Sequence, residues 1–442
     1  MTVLAGCVQL SKDEAISDFR RELLTHILAV KKEYLDGLDV EDDRKEFVWY
    51  TVGTVYYYEG RWKEAEELLV QVMETSLRAL GNEHHSTLIN IANLASTYIQ
   101  QGRWKEAEEL LVQVMETFKR VLGDEHPSTL TSMGNLASTY SKQGRWKEVE
   151  ELEVQVLEMR KRVLGDEHPD TLTSMANLAS TQAYQGRWKE AEELFVQVIE
   201  MRKRVLGDDH PSTLTNMGNL ASIYRRQGRW KEAEELEVQV MDTFKRVLGD
   251  EHPSTLTSMG NLASTYRDQG RWKEAEELFV QVLEMRKRVL GNDHPSTLNN
   301  IANLAATYRY QGRWKEAEEL EIQVMETFKR VLGDEHHSTL SSMANLASTY
   351  RYQGRWKEAE ELFVQVLEMR KRVLGDEHPD TLSIMISLAF TLKGQGLTKR
   401  AISLMEKYRK PGIVVFGPQH PHIIASHQIL VGWQREAVKL DD

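Results

Sequence analysis

The chain has 442 residues, 56 basic against 68 acidic side chains for a formal net charge of −12, and a single cysteine, Cys7. That balance disfavours generic nucleic-acid binding, which needs a basic face, and one cysteine permits neither an internal disulfide nor a cysteine-based zinc site. No stretch of about 18 uncharged apolar residues exists to span a membrane, and MTVLAGCVQL lacks the basic n-region of a secretory signal, so a reducing, cytoplasmic setting is expected.

Residues 1–45 are expected to hold an N-terminal capping helix that starts at Ser11, with Glu14 completing a capping box. Residues 46–396 are a tandem array. Gly-Arg-Trp recurs at Gly60, Gly102, Gly144, Gly186, Gly228, Gly270, Gly312 and Gly354, always 42 residues apart, with a degenerate copy at Gly396. Such a period signals a stacked repeat architecture. Each repeat reads as two helices. In one of them, helix A runs from about Ser128 to Gln143, with Leu130, Met133, Leu136, Ala137 and Tyr140 at i, i+3, i+4 spacing. Gly144 ends it. Helix B runs from Trp146 to Leu164 with Val149, Leu152, Val156 and Val163 on its apolar side, and Gly165 ends it.

The loop Asp166-Glu167-His168-Pro169 opens the next helix A, where proline suits a first turn and acidic residues favour the positive helix end. The segment Lys45 to Tyr58 is a divergent first helix A. Residues 397–442 are a degenerate last helix B, interrupted by Pro411 and Gly412, and a C-terminal cap with a helix over about His422 to Gln434. No lone helix pair buries its apolar face, so the repeats share one continuous core.

Asn135-Leu136-Ala137-x-x-Tyr140 followed by Gly144-x-Trp146-x-x-Val149 resembles the tetratricopeptide signature. The period and the LGDEHP loop resemble the kinesin-light-chain variety, and the near-identity of neighbouring repeats resembles fungal kinesin-light-chain-like proteins and the sensor arrays of fungal NACHT or NB-ARC receptors. The resemblance spans residues 46–434 and implies an all-α, right-handed superhelical solenoid of antiparallel helix pairs with helix A on the concave face. It further implies a non-catalytic protein-interaction scaffold. A receptor sensor and a cargo adaptor are the alternative roles, and no nucleotide-binding or motor domain is read in this chain.

The candidate binding residues lie on helix A, opposite its apolar stripe. In tetratricopeptide domains that hold extended peptides, asparagine at one helix A position bonds the peptide backbone; here that position is Asn93, Asn135, Asn177, Asn219, Asn261, Asn303 and Asn345. An amide offers both donor and acceptor, as an extended chain demands. Thr51 and Ser387 replace it in the end repeats. Two adjacent positions after the tyrosine vary strongly while Glu108 and Glu109 stay fixed across the Gly-Arg-Trp repeats, so the pair is read as carrying specificity. It includes Arg225, Arg226, Arg267, Arg309, Tyr310, Arg351 and Tyr352. Arginine matches carboxylate geometry, so an acidic peptide bound by a monomer is the expected partner, without nucleic acid or membrane.

Other constellations carry no chemistry in this reading. Loop histidines of successive repeats lie roughly 20 Å apart, two helix diameters, too far to share a metal whose ligands sit about 2 Å away, and they are assigned to loop structure. The eight repeated tryptophans are assigned to the core. Glu153, Phe195, Glu237, Phe279, Glu321 and Phe363 alternate at one station and are read as alternating packing between neighbours. With no nucleophile elbow, zincin motif or P-loop, no catalytic residue, cofactor or metal is expected.

Overall fold

The computed structural model describes residues 42–441, and among them every regular element is a helix. The capping helix expected at Ser11 lies outside the described residues. The chain divides at Lys142 into two compact bodies. The first holds α1 (Asp42–Tyr58), α2 (Trp62–Leu80), α3 (His85–Gln100), α4 (Trp104–Leu122) and α5 (Pro127–Lys142). The second begins with α6 (Trp146–Leu164), α7 (Pro169–Tyr184), α8 (Trp188–Leu206), α9 (Pro211–Arg226), α10 (Trp230–Leu248), α11 (Pro253–Asp268) and α12 (Trp272–Leu290). It continues through α13 (Pro295–Tyr310), α14 (Trp314–Leu332), α15 (His337–Tyr352), α16 (Trp356–Leu374), α17 (Pro379–Gly394), α18 (Thr398–Phe416) and α19 (Pro421–Asp441).

Within each body every helix packs on its chain neighbours, and helices A also meet helices A of the next repeat, as α9 does with α11 and α13 with α15. Helices B have no comparable mutual contact. Helix A therefore occupies the tighter side of each body.

The core is built from the same few positions each time. In one repeat Leu214, Met217, Leu220 and Ala221 of α9 meet Ala233, Val240 and Phe244 of α10, all buried. Burial of each large side chain is worth about 1.5–3 kcal/mol. The turn between the two helices is set by Gly228. Its φ of 77° is left-handed, its N–H bonds Arg225 O, and the N–H of Arg229 reaches back to Tyr224 O at 2.9 Å, satisfying the last carbonyls of α9. At the other end of α9, Pro211 fills the first turn and the His210 ring caps the helix, Nδ1 accepting the N–H of Ser212.

Two expectations are corrected. Pro411 does not interrupt the last helix B, since α18 runs unbroken from Thr398 to Phe416. Packing against α17 and α19 holds it through the lost hydrogen bond, and Gly412 lies so close to Tyr408 and Ile423 that a Cβ would come within 3.0 Å of either. The tryptophans are also not uniformly core. Trp104 is buried, but Trp230, Trp272 and Trp314 remain about 40% exposed. Each opens helix B at the margin of the layer, while the fully buried alanine three residues on, such as Ala233, fills the interior. The closing helix is longer than the sequence suggests, reaching from Pro421 to Asp441.

Candidate functional site

The asparagines stand on helix A away from the core. Asn177, Asn219 and Asn303 are exposed, and Asn93, Asn135, Asn261 and Asn345 are half-buried. The side-chain amides of Asn135, Asn177, Asn219, Asn261, Asn303 and Asn345 make no hydrogen bond to the protein among the described residues, and Asn93 Nδ2 is buried without a partner. An amide that served a cap or a bridge would be engaged. The end repeats differ: Thr51 is buried and donates to Phe47 O at 2.8 Å, and Ser387 donates to Ser383 O at 3.2 Å.

The arginines of the variable pair fall into two groups. Arg309 is taken up internally: its Nη1 donates to Glu321 Oε1 at 2.8 Å, to Thr349 Oγ1 at 3.2 Å and to Asn345 O at 3.3 Å, tying α13, α14 and α15 together. Arg225 repeats the arrangement more loosely, reaching Asn261 O at 3.4 Å and Asp268 at 3.6 Å. Arg267 leans on the same Asp268 at 3.4 Å. Arg226 and Arg351 meet aromatic rings instead, Arg226 over Tyr184 at 5.4 Å and Arg351 over Tyr352 at 5.5 Å.

Tyr184, Tyr310 and Tyr352 are exposed, although Tyr184 stacks on Trp146 with ring centroids 4.8 Å apart. Arg351, Tyr352, Gly354, Trp356 and Phe390 line a cavity of about 530 Å³.

Behind Arg225 and Arg309 lie the alternating carboxylates. Glu237 and Glu321 are each 2% exposed, at the station where Phe195, Phe279 and Phe363 are fully buried. Burial pushes the Glu237 carboxyl up to about 7, against the nearby Thr265 hydroxyl and, after it, Arg225, yet neither carboxylate oxygen is held in a formed hydrogen bond. Burial likewise lifts Glu153 to about 7 and raises Glu321, where Arg309 opposes the shift. The alternation is thus one of packing, a charged layer and an aromatic layer in turn.

The arginine of Gly-Arg-Trp explains why certain surface acids never vary. Arg271 bonds Glu234 of the preceding helix B at 2.7 Å, Glu274 at 2.6 Å and Gln269 at 2.9 Å, and lies 4.0 Å over Tyr266. Arg229, Arg313 and Arg355 repeat this between α8 and α16, and Arg103 does so in the first body. Glu234 is the counterpart of Glu108, so the constancy of that position is structural.

No group of three metal-ligating side chains exists among the described residues, and no described helix is long and apolar enough to cross a membrane.

The model of the family described as Tetratricopeptide repeat matches residues 46–116, 87–162, 154–204, 183–246, 238–288, 261–330, 295–372 and 339–410. No curated protein matches the chain. Among solved structures, the nearly identical TPR-like repeats of a Podosopora anserina kinesin light chain are 38% identical over 47% of this chain and 98% of that one, with a TM-score of 0.39. BtubC (BKLC) from P. vanneervenii is 19% identical over 56% of this chain and 92% of its own, with a TM-score of 0.40. A Rap protein complexed with Competence and Sporulation Factor is 11% identical over 80% and 99%, with a TM-score of 0.45.

Proposed function

This chain belongs to the tetratricopeptide repeat family, and from that premise we propose that it is a non-catalytic scaffold that holds an extended peptide segment of a protein partner along helix A. The observation that carries the reading is the set of unengaged asparagine amides on successive helices A of the second body, Asn177, Asn219, Asn261, Asn303 and Asn345. A donor and an acceptor at every repeat match a peptide backbone whose own groups are unpaired.

The preference for acidic segments is carried by fewer arginines than the sequence suggests. Arg309 and Arg225 are drawn into Glu321, Asp268 and backbone carbonyls. Arg226 and Arg351, with exposed Tyr310 and Tyr352 alongside, supply the charge and the amphipathic area favoured at interfaces. The resemblance of the repeat period and the LGDEHP loop to the kinesin-light-chain variety makes cargo adaptation the second reading.

The test uses the full chain, with acidic, neutral and basic peptides of one length as probes. Asn219→Ala/Asn261→Ala/Asn303→Ala is expected to weaken binding of all of them with helix content unchanged. Arg226→Gln/Arg351→Gln is expected to remove the preference for the acidic set. Retention of wild-type affinity in the asparagine variant refutes the helix A face as the site.

A further inference from the structure

The His-Pro loops and the Gly-Arg-Trp turns stand at opposite ends of each helix A, as His210-Pro211 and Gly228 do for α9. In the second body two of the turns rest on loops far along the chain. A Cβ added at Gly144 would fall 2.2 Å from Pro379 Cδ, and one added at Gly186 would fall 2.8 Å from His420 Cδ2 and 3.4 Å from Pro421 Cδ. Turn and loop advance by one repeat together, so this is a single packing relation used twice. The helix stack of this body turns far enough for later repeats to sit on earlier ones.

Glycine serves that contact in two ways. Its φ of 73° at Gly144 and 79° at Gly186 is left-handed, and its missing side chain leaves the space that the proline ring or the imidazole approaches. On the loop side, His378 and His420 cap α17 and α19 through Nδ1, as His210 caps α9, and both are buried.

The same two surfaces recur in this body with nothing on them. Gly228, Gly270 and Gly312 are exposed, and no described atom lies within 4 Å of where their Cβ would stand. Beside them Trp230, Trp272 and Trp314 are exposed. Lys231, Lys273 and Lys315 are exposed too and make no ion pair among the described residues. Gly270, Trp272 and Lys273 open a recess of about 570 Å³ that runs to Gln311 and Arg313 of the next repeat. At the other end, Pro169, Pro211 and Pro253 are exposed, and His168, His210 and His252 are only half-buried. The free surfaces carry the same Gly-Arg-Trp and the same His-Pro as the occupied ones, at the same 42-residue step. The occupant that Gly144 and Gly186 find within the chain is therefore the one the other turns fit.

We propose that a second copy of this chain supplies it: the free loops of one molecule, Pro169 to Pro253, seat on the free turns of another, Gly228 to Gly312. Two different surfaces meet, so the contact is heterologous and can extend from copy to copy instead of closing as a symmetric pair. The loops bring exposed Asp208, Asp209, Asp250 and Glu251 toward the exposed lysines of the turns, which favours this orientation over its reverse. The monomer expected from the sequence is then the species at low concentration. The contact uses the ends of helix A and not its free face, so it does not depend on that face being the peptide site.

The test blocks one surface at a time in the full chain. Lys273→Glu/Lys315→Glu reverses the charge of the turns. Pro211→Glu/Pro253→Glu removes the rings that seat; His85 and His337 already replace this proline in other repeats, and an acid suits the first helical turn. Mass is followed by sedimentation as concentration rises, with helix content checked to be unchanged. Wild type should grow in mass, and each variant should need about tenfold or more concentration to reach the same mean mass. A mixture of the two variants should form one-to-one pairs and nothing larger, because one supplies intact loops and the other intact turns. Wild type that keeps the single-chain mass throughout, variants that assemble as wild type does, or a mixture that forms no pairs would each overturn the proposal.

Discussion

Glu237 offers the most discriminating perturbation, because the same station holds phenylalanine in the repeats on either side. Its carboxyl is 2% exposed, and burial lifts it from 4.5 to about 7, with Thr265 and then Arg225 opposing and Asp268 and Glu234 adding to the rise. A raised acid is most comfortable protonated. The folded state therefore binds more protons than the unfolded one between about pH 4.5 and about pH 7, and stability is lost as pH rises through that window. The displacement corresponds to about 3 kcal/mol at about pH 8, using 1.36 kcal/mol per pKa unit.

Glu237→Gln keeps the shape and cannot ionise. It should stabilise the array by up to about 3 kcal/mol at about pH 8 and by only about 1 kcal/mol at about pH 5.5. The assay is the thermal midpoint at both pH values, with amide exchange in α10 and α11 locating the effect. A gain of equal size at the two pH values would refute the reasoning, since it would mean that ionisation of Glu237 is not what burdens the fold.

Two further outcomes follow from the packing. Arg309→Leu strips Glu321 of its 2.8 Å partner and leaves a carboxylate buried at 2% exposure, so it should cost about 3–5 kcal/mol; adding Glu321→Phe, the residue of the neighbouring layers, should restore most of the loss in a urea titration. Gly186→Ala and Gly228→Ala share the strain of a left-handed φ, 79° and 77°, about 1–2 kcal/mol, but only at Gly186 does the new Cβ meet something, His420 Cδ2 at 2.8 Å. Faster amide exchange at Ile423 and Ile424 is therefore expected in the Gly186 variant alone, and an equal change in both would contradict it.

Much of the fold is legible because the repeat states its own boundaries. Gly144 and Gly165 bracket Trp146–Leu164, and the helix falls on that span. Pro411 misleads because local propensity is outweighed by the contacts of α18 with its neighbours. Trp230 misleads because a large apolar residue at the first position of a helix lies at the margin of the layer, where periodicity says nothing about depth. The site is legible in its amides and less so in its charges. Arg309 reads as a groove residue from helix A alone, while its partner Glu321 sits in the other helix, at a place occupied by phenylalanine in the repeats before and after. The signal was present in the pairing of Arg225 with Glu237 and Arg309 with Glu321, but Arg267 and Arg351 opposite Phe279 and Phe363 conceal it. The histidine caps escape a sequence search because the loop also reads as an acidic metal-like cluster, and the accepting nitrogen shows only in three dimensions.

The buried carboxyls act together. Glu153 and Glu237, both near 7, favour the folded state as pH falls, and the stability they contribute is lost as pH rises from about 4.5 through about 7. Glu321 is raised by the same burial and acts in the same direction. Glu237→Gln removes one of the three, so the variant should be the more stable protein at alkaline pH and the one whose stability depends less on pH. A sequence carrying phenylalanine at all three glutamate stations would lose this contribution altogether. On this view the alternating carboxylate layer does more than fill space: it sets how the stability of the array responds to protons.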